Sequence, residues 1–311
     1  MTIRCKTLLW SAADHRPPLD RNSRDADLQS GRFSASNTSR FTRPNVTPPC
    51  KTTIGSRTSE TWATLECNSD KHFLVSGALM TKIRSVLNEQ QKYYDDRAQE
   101  YDDWWYRRNA FDEGMGANAR WHAEAGIVDA ALQSAALTGE VLELAAGTGI
   151  WSMKLLQSAR TLTIVDGSAH MLARNAAVKD PRVTTVQADL FTWRAEEKFD
   201  AVFFGFWISH VPRDLFPDFI QSVANHLRPG GQFFFVDNCK QPEAAAPHVV
   251  ELNGEFMTRK LSNGKTSTIV KNYYTNDEIA AACTNSGLTV QVFETPTLFQ
   301  YGIGMRNQPP S

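Results

Sequence analysis

The chain is poor in cysteine, and its few cysteines follow no pattern. Among 311 residues there are five, at widely separated positions: Cys5, Cys50, Cys67, Cys239 and Cys283. No CxxC pair and no Cys/His spacing of the kind that binds zinc is present. We therefore expect no metal site and no disulfide framework, and inert thiols in a reducing compartment such as the cytoplasm.

Long apolar runs and a net charge of either sign are also missing. Lys and Arg together number 33 and Asp and Glu 34, for a net charge of −1. No segment approaches the roughly 18 consecutive apolar residues of a membrane span. A chain without charge excess has no overall field to recruit nucleic acid. We expect a small-molecule partner, no nucleic acid and no membrane span, while the oligomeric state has no signal in the sequence.

The first 79 residues differ in composition from the rest. Ser, Thr, Arg, Asn and Pro dominate, and apolar residues appear singly without a period. Such a segment buries too little surface to offset its ordering entropy, so we predict a disordered leader or a non-native extension before Met80. A transit peptide is the alternative, but several aspartates oppose it. We place a globular domain at residues 80–305 and a tail at 306–311.

From residue 80 onward, strand and helix patterns alternate. Two helical stretches, at about 81–106 and 117–136, precede short apolar strands separated by amphipathic helices. This alternation predicts an α/β fold with a mostly parallel sheet and helices on both faces. Towards the end, Ser262–Lys265 has the pattern of a hairpin turn, and the strands at 288–293 and 298–303 suggest an antiparallel edge on the sheet. The parallel strands are predicted at about 140–145, 161–166, 182–187, 199–206 and 231–237.

The segment Val141–Trp151 is the most informative in the chain. An apolar strand ends at Glu143 and passes through a small-residue turn, with Gly147 and Gly149, into a helical pattern. Such a turn lets a ligand approach the backbone N–H groups at the carboxyl end of the sheet. A carboxylate there would repel a pyrophosphate but suits a nucleoside.

Two further carboxylates follow the next two strands. Asp166 ends the second strand about 20 residues after the glycine turn, where nucleotide-binding folds hold ribose hydroxyls. The alternative role is a cap for the helix that starts near Ser168. Asp189 follows the third strand and could accept from an adenine amine, with Leu190 against the base. Its alternative role is that of an ordinary turn residue.

Taken together, these motifs and the turn Leu227–Gly231 resemble the class I S-adenosylmethionine-dependent methyltransferases. The resemblance implies a Rossmann-like sheet of seven strands with one antiparallel strand at an edge. It also implies S-adenosylmethionine as the cofactor, with Asp166 on the ribose and Asp189 and Leu190 on the adenine. Ala145 stands where the family usually has glycine. The remaining residues that we assign to the cofactor on this basis are Glu143, Gly147, Gly149, Gly167, Met171 and Gly205.

The helix at 90–102 resembles the N-terminal lid of small-molecule methyltransferases. Tyr94 and Tyr101 are seven residues apart and share a face of this helix. A tyrosine ring attracts a sulfonium, so we assign Tyr94 to the cofactor and Tyr101 to the substrate. The alternative is that these rings only pack the helix onto the sheet.

After the fourth strand, the loop Phe203–Pro212 is rich in aromatic residues. The resemblance places this loop beside the transferred methyl group, with Phe206 and Trp207 as a wall of the substrate site. His210 is the candidate general base, since an imidazole can remove a proton at neutral pH. The alternative is a histidine that only packs or caps. Asp237 and Asn238, after the fifth strand, and His122, on the second helix, are further candidates to face the substrate.

The sequence thus predicts methyl transfer from S-adenosylmethionine to a small, apolar or aromatic acceptor. The chemistry needs in-line positioning more than covalent help from the protein. One alternative is an NAD(P)-dependent oxidoreductase, but Ser152 occupies the place of the third glycine in its G-x-G-x-x-G pattern. Another is a non-catalytic member of the fold that binds the nucleoside.

Overall fold

The computed structural model describes residues 69–239 and 249–308, and the two short strands β1 (Thr52–Thr53) and β2 (Thr64–Leu65). The chain divides into two units, Met1–Cys67 and Asn68–Ser311. In the first unit β1 pairs with β2 in antiparallel register. Most of the predicted leader, and the end of the predicted tail, lie outside the described residues. The first long helix begins at Ser69, earlier than the domain start predicted at residue 80.

The second unit alternates helices and strands as predicted. In chain order its elements are α1 (Ser69–Arg97), α2 (Tyr101–Trp105), α3 (Met115–Ala135), β3 (Gly139–Leu144), α4 (Ser152–Leu155), β4 (Ala159–Asp166), α5 (Ala169–Arg174), β5 (Val183–Gln187), β6 (Phe199–Gly205), α6 (Phe216–His226), β7 (Leu227–Asn238), β8 (Val249–Asn253), β9 (Phe256–Lys260), β10 (Thr266–Val270), α7 (Asn276–Asn285), β11 (Leu288–Glu294) and β12 (Phe299–Arg306). Short 3-10 turns, among them Ile208–His210, connect several of them.

Seven of these strands form the main sheet, in the order β11-β12-β7-β6-β3-β4-β5. The five strands from β3 to β7 are mutually parallel, and β12 runs antiparallel to both β7 and β11. The Rossmann-like seven-stranded sheet is therefore confirmed. The antiparallel strand β12 lies second from the edge and is itself covered by β11.

The core follows the two-residue period of the strands. In β3, Val141 belongs to the cluster that includes Trp121 of α3, while Leu142 belongs to the cluster that includes Phe219 of α6. Because alternate side chains point to opposite faces, helices must cover both faces of the sheet. This packing leaves the carboxyl ends of the parallel strands open on one side.

The predicted hairpin turn joins β9 to β10, but these strands do not extend the main sheet. They form a separate antiparallel sheet in the order β10-β9-β8. Helix α1 packs along β10, where Thr268 N–H donates to the Glu89 carboxylate and Val270 N–H donates to the Gln90 amide oxygen. The small sheet therefore positions α1 rather than widening the main sheet.

In the described part of the chain, no helix is long and apolar enough to cross a bilayer. Within the same residues, no three His, Cys, Asp or Glu side chains group as a metal site would require.

Candidate active site

A cavity of about 490 Å³ lies at the carboxyl ends of the parallel strands and under α1. Most of the residues that the sequence assigns to a site line this one cavity. They are Tyr94, Tyr101, Ala145, Gly147, Asp166, Gly167, Met171, Asp189, Leu190, Gly205, Phe206, Trp207 and His210. Glu143, Gly149 and Asp237 are not among the lining residues, and His122 is exposed on α3 outside it.

The turn after β3 is strained where it meets the cavity. Ala145 has φ 55°, in the left-handed region that favours glycine, and Gly147 has the same φ of 55°. A non-glycine residue in this conformation costs roughly 1 to 3 kcal/mol. Gly149, at φ 91°, is required for space, since a Cβ there would lie 2.2 Å from the Asn175 amide oxygen. The turn is thus held in one shape at the position where a ligand meets it.

Asp166 is tied to this turn through both of its carboxylate oxygens. Gly147 N–H donates to Oδ2 and Ser168 N–H donates to Oδ1, each at 2.8 Å. Burial raises the pKa of Asp166 to about 6. The cap of the following helix is Ser168 and not Asp166, because the Ser168 hydroxyl accepts from Met171 N–H. Each Asp166 oxygen retains a lone pair for a ligand hydroxyl, so the side chain fits a ribose diol.

Asp189 and Leu190 form the far end of the same cavity. Asp189 is exposed, and its Oδ1 accepts from Phe191 N–H at 2.9 Å, so it also serves as a turn residue. Leu190 is buried and offers an apolar surface beside it. Asp189 can accept a hydrogen bond from the amine of an adenine, and Leu190 can pack against its ring.

Glu143 lies beneath the turn instead of in the cavity. It is 1 % exposed, and the Ser152 hydroxyl donates to it at 2.5 Å. Asn175 in turn donates to Ser152. Burial raises the pKa of Glu143 to about 8, so this carboxyl is protonated at neutral pH. In this structure Glu143 supports the turn through Ser152, and its contact with the cofactor stays a prediction.

The lid helices are fastened to the cofactor turns by three hydrogen bonds. Gln91 Nε2 donates to Gly167 O at 2.8 Å, Ser168 Oγ donates to Asp95 Oδ1 at 2.5 Å, and Thr148 Oγ1 donates to Asp102 Oδ1 at 2.5 Å. The rings of Tyr94 and Tyr101 lie 6.3 Å apart on the cavity side. Sequence reasoning found the two rings but missed these hydrogen bonds, because each joins residues that are far apart in the chain.

His210 is hydrogen-bonded to Tyr94 inside the cavity. Its Nδ1 lies 2.7 Å from Val270 O, and its Nε2 lies 2.8 Å from the Tyr94 hydroxyl. A carbonyl only accepts, so Nδ1 carries the proton and Nε2 accepts from Tyr94 O–H. Burial, and then the nearby cations Lys271 and Arg259, hold the pKa of His210 well below its usual 6.5. His210 is therefore neutral at physiological pH, with its basic nitrogen facing the cavity wall.

The aromatic wall beside His210 has a second strained position. Phe206 has φ 53° and packs edge-on against Trp104, with ring centroids 4.9 Å apart. A Cβ on Gly205 would lie 3.0 Å from the Trp151 ring, so the backbone passes close to that ring. Asp237 does not reach the cavity. Its carboxylate accepts from Ser209 N–H at 3.0 Å and so positions the turn that carries His210.

Comparison with known proteins agrees with this geometry. A family model described as "Methyltransferase domain" matches residues 141–231. A solved complex of DhpI with SAH is 32 % identical, covering 72 % of this chain and 98 % of DhpI, with a TM-score of 0.59. A DhpI–SAM–HEP complex gives 32 % identity, 70 % and 97 % coverage, and the same TM-score. A search of curated proteins gave no match.

The chain belongs to the class I S-adenosylmethionine-dependent methyltransferases. S-adenosylmethionine is its cofactor, and the oxidoreductase and non-catalytic alternatives are set aside. That Asp166 holds the cofactor's ribose, and Asp189 with Leu190 its adenine, stays a prediction, and the three residues line one cavity.

Proposed function

We propose that this methyltransferase transfers the methyl group to a small-molecule acceptor bound between the lid tyrosines and the wall formed by Phe206 and Trp207, and that His210 receives the acceptor's proton through Tyr94. The observation that carries this proposal is the 2.8 Å hydrogen bond between Tyr94 O–H and His210 Nε2. Both residues line the cavity that also contains Asp166 and Asp189.

The cofactor supplies an electrophilic methyl group on a positively charged sulfur. The protein has to hold an acceptor oxygen or nitrogen in line with that group and to exclude water. Tyr94 O–H passes its proton to His210 Nε2 as it takes one from the acceptor. The acceptor atom gains the methyl group and loses a proton, while the sulfur becomes neutral. The aromatic walls also support the apolar or aromatic acceptor body that the sequence predicts.

The test is turnover of His210→Ala with methyl-labelled S-adenosylmethionine and a library of small metabolites. Once an acceptor is found, kcat should fall by about 100-fold or more, the usual contribution of a general base. Affinity for S-adenosylhomocysteine should stay within about twofold, since the residues that fit the cofactor are elsewhere.

His122→Ala is the matched control, because His122 is exposed outside the cavity. It should behave as the wild type in both measurements. Full activity of His210→Ala across the pH range would refute the role of His210. Absence of any labelled product from a broad acceptor library would count against a free small molecule as the acceptor.

A further inference from the structure

Three cationic side chains are buried together behind the wall formed by Tyr94, Tyr101 and His210. Arg97 comes from the end of α1, Arg259 from β9, and Lys271 directly follows β10. They are 3 %, 9 % and 5 % exposed. Long cationic side chains are almost never buried this deeply unless they are paired. Sequence analysis did not identify any of them.

These cations have few anionic partners. Lys271 Nζ is 2.9 Å from the Ser209 hydroxyl and 3.8 Å from Asp237 Oδ1. Arg97 lies over aromatic rings, with its guanidinium carbon 5.1 Å from the centre of the Tyr101 ring. Arg259 Nε donates only to Met257 Sδ, at 3.4 Å. Among the residues that the structure describes, no carboxylate forms an ion pair with Arg97 or Arg259. Within the described part of the chain, the three cations thus meet two carboxylates, Asp237 beside Lys271 and Glu100, which interacts electrostatically with Arg97.

The cluster acts on the acceptor side of the cavity. After burial, all three cations contribute to the low pKa of His210, whereas burial raises the pKa of Tyr94 and Arg259 and Arg97 partly oppose that rise. Tyr101, whose ring Arg97 covers, also lines the cavity. The cofactor end of the cavity, at Asp166 and Asp189, carries negative charge instead. The electrostatic potential therefore differs between the two ends of the cavity, and the acceptor end is the positive one.

A buried charge without a partner is costly, and a bound counter-charge removes that cost. A neutral acceptor would leave the surplus of positive charge among the described residues in place. We propose that the acceptor carries an acidic group, and that its oxyanion lies against Tyr94, Tyr101 and His210, on the side of the cavity that Arg97, Arg259 and Lys271 make positive from behind this wall. This inference rests on the proposed function and narrows its acceptor to a small acid.

A positive potential at this side of the cavity favours any small oxyanion, and the hydroxyl of Tyr101 can donate to it. A carboxylate and a phosphate-like group share this chemistry. Phe206 and Trp207 still suit an apolar or aromatic body, so the acceptor we infer has an anionic head on a small apolar frame.

Binding of matched probes tests the proposal without any turnover. We would titrate benzoate, benzamide and inorganic phosphate into the protein saturated with S-adenosylhomocysteine and measure each dissociation constant by calorimetry. Benzoate and benzamide share shape and differ in charge, and phosphate lacks the ring. Benzoate should bind at least about tenfold more tightly than benzamide, as expected for charged hydrogen bonds. Phosphate tighter than benzoate would indicate a tetrahedral head group, and the reverse a carboxylate.

Variants of β9 provide the control. Arg259→Met should reduce the preference for benzoate to within about twofold, whereas Arg259→Lys, which keeps the charge, should retain most of it. Lys260→Met is the matched control, since Lys260 is the neighbouring cation and is exposed. Thermal unfolding and S-adenosylhomocysteine affinity verify that each variant is folded.

Equal binding of benzoate and benzamide to the wild type would overturn the proposal, as would an unchanged preference in folded Arg259→Met. Failure of the proposed function gives a different result: charge discrimination would persist while no acceptor is methylated. Conversely, turnover of a neutral acceptor together with no anion preference would refute the anionic site and leave methyl transfer intact.

Discussion

At the scale of single residues, burial and hydrogen-bond partners give Asp166 and Glu143 different roles. Asp166 accepts two backbone N–H bonds and faces the cavity, whereas Glu143 is buried beneath the turn and is protonated at neutral pH. Their difference follows from the strand period. Glu143 shares a face of β3 with Val141, whose side chain packs into the core, so it points towards α4 and not into the cleft.

Asp166→Asn should weaken S-adenosylhomocysteine binding by about 1.5 to 3 kcal/mol, the range for hydrogen bonds to a charged group. The amide nitrogen cannot accept, so one backbone N–H and one ribose hydroxyl lose their acceptor. Asp189→Asn should cost less, because Asp189 is exposed. Calorimetric titration of both variants checks the ranking. Equal losses, or no loss for Asp166→Asn, would contradict the ribose assignment.

At the scale of elements, the sequence predicted most of the residues that line the cavity but not the buried cations behind it. Asp166 and Asp189 each follow a strand, and carboxyl ends of parallel strands always meet at one edge of the sheet. Arg97, Arg259 and Lys271 are brought together by α1 and a small second sheet. The turn pattern at Ser262–Lys265 predicts the hairpin of this small sheet, but it does not indicate which element the hairpin packs against. Its placement over α1 depends on contacts between residues more than 150 positions apart, such as Thr268 with Glu89.

Few hydrogen bonds connect the lid helices to the turns at the ends of the strands. Thr148 Oγ1 donates to Asp102 Oδ1 and thereby fastens α2 to the glycine turn. Asp102→Ala should speed release of S-adenosylhomocysteine by about tenfold to a hundredfold, since a hydrogen bond to a charged group contributes roughly 1.5 to 3 kcal/mol. Stopped-flow displacement measures the rate. Asp103→Ala is the control, since Asp103 bonds Asn109 and Arg108 away from the turn, and it should leave the rate unchanged. A rate unchanged in Asp102→Ala would show that this bond does not hold the lid.

At the scale of the whole molecule, buried histidines and a buried glutamate have opposite effects on how the free energy of unfolding depends on pH. His210 and His226 have lowered pKa values, that of His226 being about 4 because of burial. As pH falls below 6.5, the unfolded chain takes up protons that the folded histidines refuse, so the free energy of unfolding decreases. Glu143 has the opposite effect on stability, at higher pH. Its pKa rises from 4.5 to about 8 on folding, so stability falls as pH increases between those values.

Glu143→Gln removes the second effect, because a neutral amide oxygen can still accept from Ser152. The variant should gain stability over the wild type by up to about 1.4 kcal/mol per pH unit between pH 4.5 and 8, and the gain should level off above 8. Asp166 titrates in both proteins, so its contribution cancels in the difference. Urea unfolding at pH 5, 6.5, 8 and 9 measures this difference, with Glu197→Gln, at an exposed position, as the control that should stay flat. A difference independent of pH would mean that Glu143 ionises normally in the folded protein, and the turn would then rest on a buried charge.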